Sequence, residues 1–332
     1  MRPPGFWANP PDRPGLLAHL LAPLAAVWVS VTRRRLAQGR GVRLRIPVVC
    51  VGNLTAGGAG KTPTVIALLE RLAARGVAAH VVSRGHGGSL AGPVRVEEGR
   101  HTAAEVGDEP LLLAAFAPTW VGRDRAAAGR AAEAAGADLV IMDDGLQNPG
   151  LAKNLSIVVV DAATGFGNGR VIPAGPLREP VAAGLARADL LLAIGSPEER
   201  ARFRAAWPGL AVPTVEAALV PLPTGMDWGG LRALAFAGIG RPEKFFATLR
   251  ALGAEIVAVR SFDDHEPFAH RALARLEAEA DAAHAQLVTT EKDAARLPAA
   301  FRRKVLVLPV RLEPEDWTRL DAALAGLLPA AG

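Results

Sequence analysis

A glycine-rich segment of this 332-residue chain has the residue types and order of a phosphate-binding loop. It covers residues 52–63, follows the apolar run Ile46–Val51 and contains Gly60-Lys61-Thr62. Glycines allow backbone N–H groups to converge on phosphate oxygens, and the N-terminus of a following helix adds a favourable dipole. In such a loop the lysine reaches the β- and γ-phosphates, and the threonine hydroxyl binds Mg²⁺.

The loop predicts a nucleotide site, although one position departs from the usual pattern. Thr55 stands where glycine is usual, so the loop is a variant. The alternative is an ordinary glycine-rich turn between a strand and a helix, which the Lys-Thr pair disfavours. The residues predicted to bind the nucleotide are Thr55, Ala56, Gly57, Gly58, Ala59, Gly60, Lys61 and Thr62.

A pair of aspartates supplies the acidic half of such a site. Asp143 and Asp144 directly follow Leu139–Met142, an apolar run typical of a buried strand. An acidic residue at the end of a neighbouring strand holds Mg²⁺ directly or through water. The alternative is a simple Asp-Asp-Gly turn. We predict Mg²⁺ binding by Thr62 and this pair, and the sequence leaves open which aspartate contacts the ion.

The segment Thr290–Asp293 bears on the identity of the nucleotide. Regulatory GTPases read guanine with Asn/Thr-Lys-x-Asp, whereas Lys292 and Asp293 are adjacent in this chain. This spacing argues against a guanine site.

Short apolar runs alternate with helical patterns, such as Thr64–Arg75 and Arg123–Ala135. This alternation implies a parallel sheet covered on both faces, with its sites at the carboxyl ends of the strands. We predict an α/β fold: a P-loop NTPase-type parallel core, a second, smaller α/β domain and an apolar N-terminal helix. The predicted strands are Ile46–Val51, His80–Ser83, Leu139–Met142, Ile157–Val160, Leu190–Ile194, Leu234–Ala237, Glu255–Val259, Gln286–Val288 and Val305–Leu308.

A proline-rich stretch over residues 208–223 interrupts the alternation and marks a boundary. The last strand of the second domain is expected to return to this linker. The predicted divisions are a membrane-associated segment at 1–45, a P-loop core at 46–212, a linker at 213–229 and the smaller domain at 230–332.

The N-terminal segment is apolar and is followed by arginines. Leu16–Val31 is strongly apolar, and six arginines lie between Arg33 and Arg45. A helix over the apolar stretch is roughly 25 Å long, short of the ~30 Å hydrocarbon core, and charge after the stretch fits a signal peptide poorly. Two interpretations stay open: a helix buried against the domain, or a helix seated on a membrane with arginines on anionic headgroups.

The amino-acid composition narrows the classes of protein to which the chain could belong. Half of the residues are hydrophobic and the formal net charge is +5, which indicates a globular chain suited to anionic partners. A single cysteine, Cys50, excludes a disulfide within the chain and fits a reducing compartment. The chain has no tyrosine and no basic stripe with interleaved aromatic residues, so we predict no nucleic-acid partner.

Seven short motifs follow one another along nearly the whole chain. They are Asn53–Pro63, Ser83–Gly88, Val106–Pro110, Asp143–Gln147, Pro173–Glu179, Phe262–His265 and Thr290–Asp293. In this order they resemble the motifs of the lipid A 4′-kinase (tetraacyldisaccharide 4′-kinase) family. Two positions depart from the family pattern: His86, where tyrosine is usual, and Asn148, where histidine is usual.

The resemblance implies transfer of the ATP γ-phosphate to the 4′-hydroxyl of a tetraacylated glucosamine disaccharide 1-phosphate. It also implies a peripheral enzyme on the cytoplasmic face of the inner membrane. The catalytic residues would be Lys61, Asp108 as general base and His265 as the partner of that aspartate. From the residues alone, Asp108 could instead cap a helix, and His265, which lies among carboxylates, could be a metal ligand or a polar turn residue.

The remaining candidates are a metal ligand and four substrate contacts. Glu109 is a further Mg²⁺ candidate, and the substrate contacts are Arg84, Gln147, Arg178 and Glu179. Arginine matches phosphate bidentately, but a solvated surface role is the alternative for each arginine. Two rival functions share the phosphate loop: another membrane-associated P-loop small-molecule kinase or ligase, and a nucleotide-switched scaffold.

Overall fold

The computed structural model describes residues 3–39, 41–264 and 266–328, and these form two lobes, each built on a β-sheet. The strands are β1 Val48–Gly52, β2 Ala79–Ser83, β3 Val94–Arg95, β4 Thr119–Val121, β5 Leu139–Asp143, β6 Leu155–Asp161, β7 Leu190–Ile194, β8 Thr214–Pro221, β9 Arg232–Ala237, β10 Glu255–Ser261, β11 Gln286–Thr290, β12 Val305–Leu308 and β13 Val310–Pro314.

Helices cover both sheets. They are α1 Leu16–Leu20, α2 Ala22–Gln38, α3 Lys61–Ala73, α4 Ala103–Val106, α5 Asp108–Leu113, α6 Arg125–Ala134, α7 Val181–Leu185, α8 Pro197–Ala206, α9 Pro242–Ala251, α10 His270–Ala282, α11 Glu291–Ala295, α12 Ala299–Arg302 and α13 Thr318–Ala325. A 3₁₀ turn, Gly5–Ala8, precedes α1.

The larger lobe contains a nine-stranded sheet in the order β13-β8-β7-β6-β1-β5-β2-β4-β3. Its strands are parallel except for the outermost pair at each edge. Strands β1, β2, β5 and β7 are buried along their whole length, as expected for apolar runs covered on both faces. Their carboxyl ends meet at one edge, so the phosphate loop lies beside the residues that end β2, β5 and β6. This confirms the predicted parallel core.

The smaller lobe contains a four-stranded parallel sheet in the order β10-β9-β11-β12. Helix α9 covers one face through Phe245, Phe246 and Leu249, and α10 covers the other through Leu273 and Leu276. The four predicted strands of this region are present, with bounds that differ by a few residues at most.

The end of the chain returns to the larger lobe. Strand β8 lies inside the predicted linker, 213–229, and β13 pairs with it antiparallel, so the expected return to the linker is made by β13, whereas Val305–Leu308 stays in the smaller sheet as β12. Helix α13 then packs Leu320 and Leu324 against the core of the larger lobe. The sequence did not predict β8 because prolines lie at both of its ends, and proline is expected to break a strand. The domain boundaries themselves stay a prediction.

The apolar N-terminal stretch forms two helices rather than one. Helix α2 restarts at Ala22 with Pro23 in its first turn, where a missing N–H costs nothing. Ala25 is buried, and Leu21 and Val29 pack on the cluster that contains Leu54 and Leu177. The opposite face exposes a row of large apolar side chains: Leu16, Leu17, Leu20, Leu24, Val27, Trp28 and Val31. Among the described residues, no helix is both long and apolar enough to cross a membrane.

Candidate active site

The phosphate loop is shaped from within by Asn53. This side chain is fully buried, and its Nδ2 donates to the carbonyl oxygens of Thr55 at 2.9 Å and Gly57 at 3.3 Å. The loop also needs two left-handed glycines, Gly57 at φ +104° and Gly60 at φ +93°. Helix α3 begins directly afterwards, at Lys61. The loop therefore lies at the N-terminus of a 13-residue helix, where the helix dipole favours the binding of anions.

One side of the loop is tightly packed and the other is open. A Cβ placed on Gly60 would lie 2.6 Å from Cδ1 of Ile194, whereas a Cβ on Gly57 or Gly58 would meet nothing within 4 Å. On its packed side, the loop is bonded to the segment Pro173–Glu179. Ala56 N donates to Pro176 O at 2.8 Å, and Arg178 N donates to Leu54 O at 2.7 Å. The open side leaves room for phosphate groups.

Lys61 lies under the loop beside an acidic residue. Its Nζ is 3.4 Å from Asn53 Oδ1 and 3.6 Å from Asp144 Oδ1. Asp144 has a left-handed backbone, with φ +49°, and Arg178 Nη1 donates to its two carboxylate oxygens at 2.8 and 3.1 Å. Burial raises the pKa of Asp144, but the charges and hydrogen bonds of Lys61 and Arg178 outweigh burial and hold that pKa below its ordinary value. Asp144 is thus a carboxylate already balanced by two cations.

Asp143 has a different environment from its neighbour. It ends β5 and is 1% exposed, and Ser83 Oγ donates to its Oδ2 at 3.2 Å. Its Oδ1 is buried and has no hydrogen-bond partner among the described residues. Burial, with the nearby charges of Glu109 and Asp144, raises the pKa of Asp143 to about 7. A buried acceptor oxygen without a donor is a costly arrangement that a cation would relieve.

The residues present fit a magnesium ion. Asp143 supplies the unpartnered oxygen, and Thr62 follows Lys61 at the start of α3. Mg²⁺ at phosphate sites takes only one or two carboxylates and completes its shell with phosphate and water. In the described part of the chain, no group of three or more His, Cys, Asp or Glu residues could hold a metal ion by itself.

A cluster of charges joins the two lobes next to this site. Lys292 Nζ, from the smaller lobe, is 3.9 Å from Asp108 Oδ2 and 3.4 Å from Glu109 Oε1, both in the larger lobe. It is also 3.2 Å from Asp264 Oδ1. Burial lowers the pKa of Lys292, but Glu109, Asp108 and Asp264 outweigh burial and raise it. Lys292 was not among the predicted site residues, although its motif belonged to the family set.

Asp108 begins α5 but does not occupy its cap position. The N-cap is Gly107, which has no side chain, and Asp108 Oδ1 accepts the N–H of the next residue, Glu109, at 3.0 Å. The Asp108 side chain is nearly buried and faces the ion cluster described above. Its predicted partner, His265, lies outside the described residues.

The predicted substrate residues fall into two groups. Gln147 and Glu179 are buried behind the phosphate loop: Gln147 Nε2 donates to Asn53 O and to Glu179 Oε1, each at 3.0 Å. Arg187 Nη2 donates to the same Glu179 oxygen at 2.8 Å. Arg178 points to Asp144, and Arg84 is exposed at the edge of the site. Gln147 and Glu179 therefore support the loop, whereas Arg178 and Arg84 place cations at the site.

Arg125 is a buried cation that the sequence analysis missed. Its side chain is 3% exposed, its Nη1 donates to Gly122 O at 2.5 Å, and its Nε has no partner within the described ranges. Burial lowers its pKa to about 10, against an opposing effect from the charge of Asp143. In the sequence it is one of several arginines in an alanine-rich helix, and only the fold brings it near the aspartates.

The smaller lobe closes over the phosphate loop. A Cβ on Gly240 would lie 3.5 Å from Gly58 N, so the Gly238–Gly240 turn approaches the open side of the loop. Nearby, Arg241 Nη1 and Lys244 Nζ contact the carboxylate of Asp161 in the larger lobe at 2.7 and 3.0 Å. The smaller lobe thus lies next to the open side of the loop, and closure of such a cleft is a general way to exclude water from a reacting phosphate.

Comparisons with known proteins agree on one family. The family model for tetraacyldisaccharide-1-P 4′-kinase (LpxK) matches residues 17–329. A protein of Dinoroseobacter shibae named tetraacyldisaccharide 4′-kinase is 64% identical over 333 residues, covering 100% of this chain and 99% of that protein. A protein of the same name from a Jannaschia species is 56% identical and covers 99% of both chains.

A solved structure shares the fold. A crystal structure of LpxK from Aquifex aeolicus in complex with ATP aligns with a TM-score of 0.74 at 24% identity. The alignment covers 95% of this chain and 100% of that one.

Proposed function

This chain belongs to the tetraacyldisaccharide-1-P 4′-kinase family, and we propose that it transfers the γ-phosphate of ATP to the 4′-hydroxyl of a tetraacyl glucosamine disaccharide 1-phosphate. It is a lipid kinase of lipid A biosynthesis. The observation that carries the proposed chemistry is the open phosphate loop with Lys61 beneath it and the buried, unpartnered oxygen of Asp143 beside it.

The phosphate loop would hold the triphosphate of ATP. Backbone N–H groups of residues 55–62 bind phosphate oxygens, and Lys61 places a cation on the β- and γ-phosphates. Thr62, Asp143 and Glu109 would hold Mg²⁺, which supplies neutralisation of charge on the transferred group when it is bound. Asp144 is already paired with Lys61 and Arg178, and its role would be to orient these two cations.

The acceptor hydroxyl would be oriented by Asp108. A sugar hydroxyl is a weak acid, so a carboxylate within reach accepts its proton as phosphate is transferred, while positioning supplies most of the rate. Lys292 steadies Asp108 and Glu109 from the opposite lobe. The partnership of Asp108 with His265 stays part of the proposal.

Substrate anions would meet arginines at the edge of the site. Arg84 is exposed there, and Arg178 is held against Asp144. Gln147 and Glu179 are proposed to act on substrate through the loop, because their hydrogen bonds fix the backbone of Asn53 and the side chain of Arg187.

The N-terminal helices are proposed to seat the enzyme on the cytoplasmic face of the inner membrane. Two observations support a lipid surface as their partner: one face exposes large apolar side chains, and Arg33, Arg34 and Arg35 continue the same helix. Apolar burial in the interface combined with arginine on anionic headgroups is the arrangement of a peripheral helix. An acylated substrate would be presented at this surface.

Replacing Leu20 and Leu24 together with glutamate is expected to weaken binding to anionic vesicles at least tenfold. Each buried leucine contributes roughly 1.5–3 kcal/mol, and about 1.4 kcal/mol corresponds to a tenfold change. Co-sedimentation at low and high salt measures the effect, and the remaining binding should be salt-sensitive because the arginines persist. Leu222→Glu, which alters an exposed leucine elsewhere, is the matched control. Unchanged binding by the double variant would show that the apolar face does not meet lipid.

Mass spectrometry of a tetraacyl disaccharide 1-phosphate incubated with enzyme, ATP and Mg²⁺ tests the proposed reaction. The expected product carries one added phosphate at the 4′ position, and chelation of Mg²⁺ with EDTA should remove the product because the phosphoryl charge is no longer neutralised. Slow ATP hydrolysis without a phosphorylated lipid would instead favour a nucleotide-switched scaffold.

A further inference from the structure

Helix α2 is hydrogen-bonded to two segments of the candidate site. Trp28 Nε1 donates to Arg178 O at 3.0 Å, and Arg35 Nη2 donates to Gln147 O at 3.1 Å. These bonds join residues 150 and 112 positions apart in the chain. The two donors are two helical turns apart, so they lie on one line along the helix.

The two acceptor segments build the packed side of the phosphate loop. The Arg178 N–H donates to Leu54 O, and its guanidinium holds Asp144. The Gln147 side chain donates to Asn53 O. A shift of either backbone carbonyl would therefore move groups that touch Lys61 or shape the loop around it.

The two donors lie at the border between the packed and the exposed faces of α2. Val29 packs on the protein core, whereas Val27 and Val31 are exposed, and the helical spacing places Trp28 and Arg35 between these faces. The Trp28 residue is itself 45% exposed. Water competes for such bonds, so each is worth little in solution. A lipid surface over the exposed face would exclude water and strengthen both bonds.

We propose that Trp28 and Arg35 are positioning residues that couple the seating of α2 on a lipid surface to the geometry of the phosphate loop. The inference rests on the proposed kinase function. It adds that the lipid surface increases the turnover of the enzyme as well as holding the enzyme in place. Empty anionic vesicles thus increase the turnover of an acceptor that is not itself embedded in them.

The test uses the full-length enzyme, ATP, Mg²⁺ and a deacylated, water-soluble disaccharide 1-phosphate, with and without vesicles of phosphatidylglycerol and phosphatidylcholine. We expect vesicles to stimulate the wild type. Trp28→Phe and Arg35→Met should lose most of this stimulation, and turnover with saturating vesicles should fall roughly fivefold to tenfold in each, as expected for one hydrogen bond. Arg35→Lys should recover part of the loss.

Arg34→Met is the matched control. Arg34 is exposed and makes no hydrogen bond or ion pair in the described part of the chain, so this variant removes the same charge without an internal bond. Both arginine variants should lose vesicle affinity equally, whereas only Arg35→Met should lose turnover when vesicles are saturating. Trp28→Phe should keep its vesicle affinity within about twofold, because an aromatic ring remains.

Three outcomes would each overturn the proposal. Equal turnover of Arg34→Met and Arg35→Met at saturating vesicles would overturn the proposal, as would full stimulation of Trp28→Phe. A wild type that vesicles do not stimulate would overturn it as well. Failure of the kinase function itself would look different, since the wild type would then phosphorylate neither the deacylated nor the acylated disaccharide.

Discussion

Replacing Lys61 with alanine is expected to reduce phosphoryl transfer by about 10²–10³-fold or more, the range seen when a preorganised group that stabilises transition-state charge is removed. Lys61 is the cation directly under the loop, and Arg178 is engaged with Asp144. The substitution removes positive charge from the place where charge shifts between the β- and γ-phosphates. Initial rates of lipid phosphorylation measure the loss.

The fold should survive this substitution. Asp144 loses its contact with Lys61 but keeps two hydrogen bonds from Arg178, so this carboxylate stays paired. Thermal unfolding should therefore change little. Lys304→Ala is the matched control, because Lys304 pairs with Glu277 on the surface of the smaller lobe. Turnover by Lys61→Ala close to that of Lys304→Ala would refute the assignment of the phosphate loop.

The central strands could be predicted from the sequence because each is an uninterrupted apolar run. Strands β1, β5 and β7 are buried on both faces, and an unbroken run is the signature of such strands. The antiparallel pair β8 and β13, at one side of the sheet, was missed for the opposite reason. In β8, buried Val215 and Ala217 alternate with less buried neighbours between prolines, and β13 is recognised only by its pairing with β8.

The parts of the site that are local in sequence could also be predicted. The phosphate loop and the aspartates that end β5 are each contained in one short segment, and their placement at one edge of the sheet follows from the strands that precede them. The sequence did not show how the environments of Asp143 and Asp144 differ. The difference depends on Arg178, which lies 34 positions from Asp144 and pairs with it, whereas Oδ1 of Asp143 has no hydrogen-bond partner among the described residues.

The sequence did not show which residues meet between the lobes. Lys292 lies 183 positions from Glu109, and its segment, Thr290–Asp293, argued against a guanine site and contributed to the family resemblance without indicating a contact with Glu109. The approach of the Gly238–Gly240 turn to Gly58 follows from how the lobes pack. Side chains that meet across a closing cleft are set by the packing of whole elements, which a one-dimensional pattern does not encode.

Replacing Asp108 with asparagine is expected to reduce kcat by about 10²-fold or more, the usual effect of losing a general base. Asparagine has the same shape, and its Oδ1 can still accept the N–H of Glu109, so helix α5 should keep its start. The variant cannot accept the proton of the acceptor hydroxyl. Apparent affinity for ATP should change little because the phosphate loop is untouched. Asp138→Asn, at the opposite end of β5, is the control.

A double variant decides whether Asp108 works alone or with His265. The family resemblance pairs these two residues, and two groups that share one proton transfer lose their function together. Asp108→Asn with His265→Ala should then be hardly slower than the slower single variant. Multiplicative losses would mean that the two residues contribute independently and would end the proposed pairing. Lys292, at 3.9 Å from Asp108 Oδ2, is a second candidate partner for this carboxylate across the lobes. Lys292→Met, measured in the same background, would then show the coupling that His265→Ala lacks.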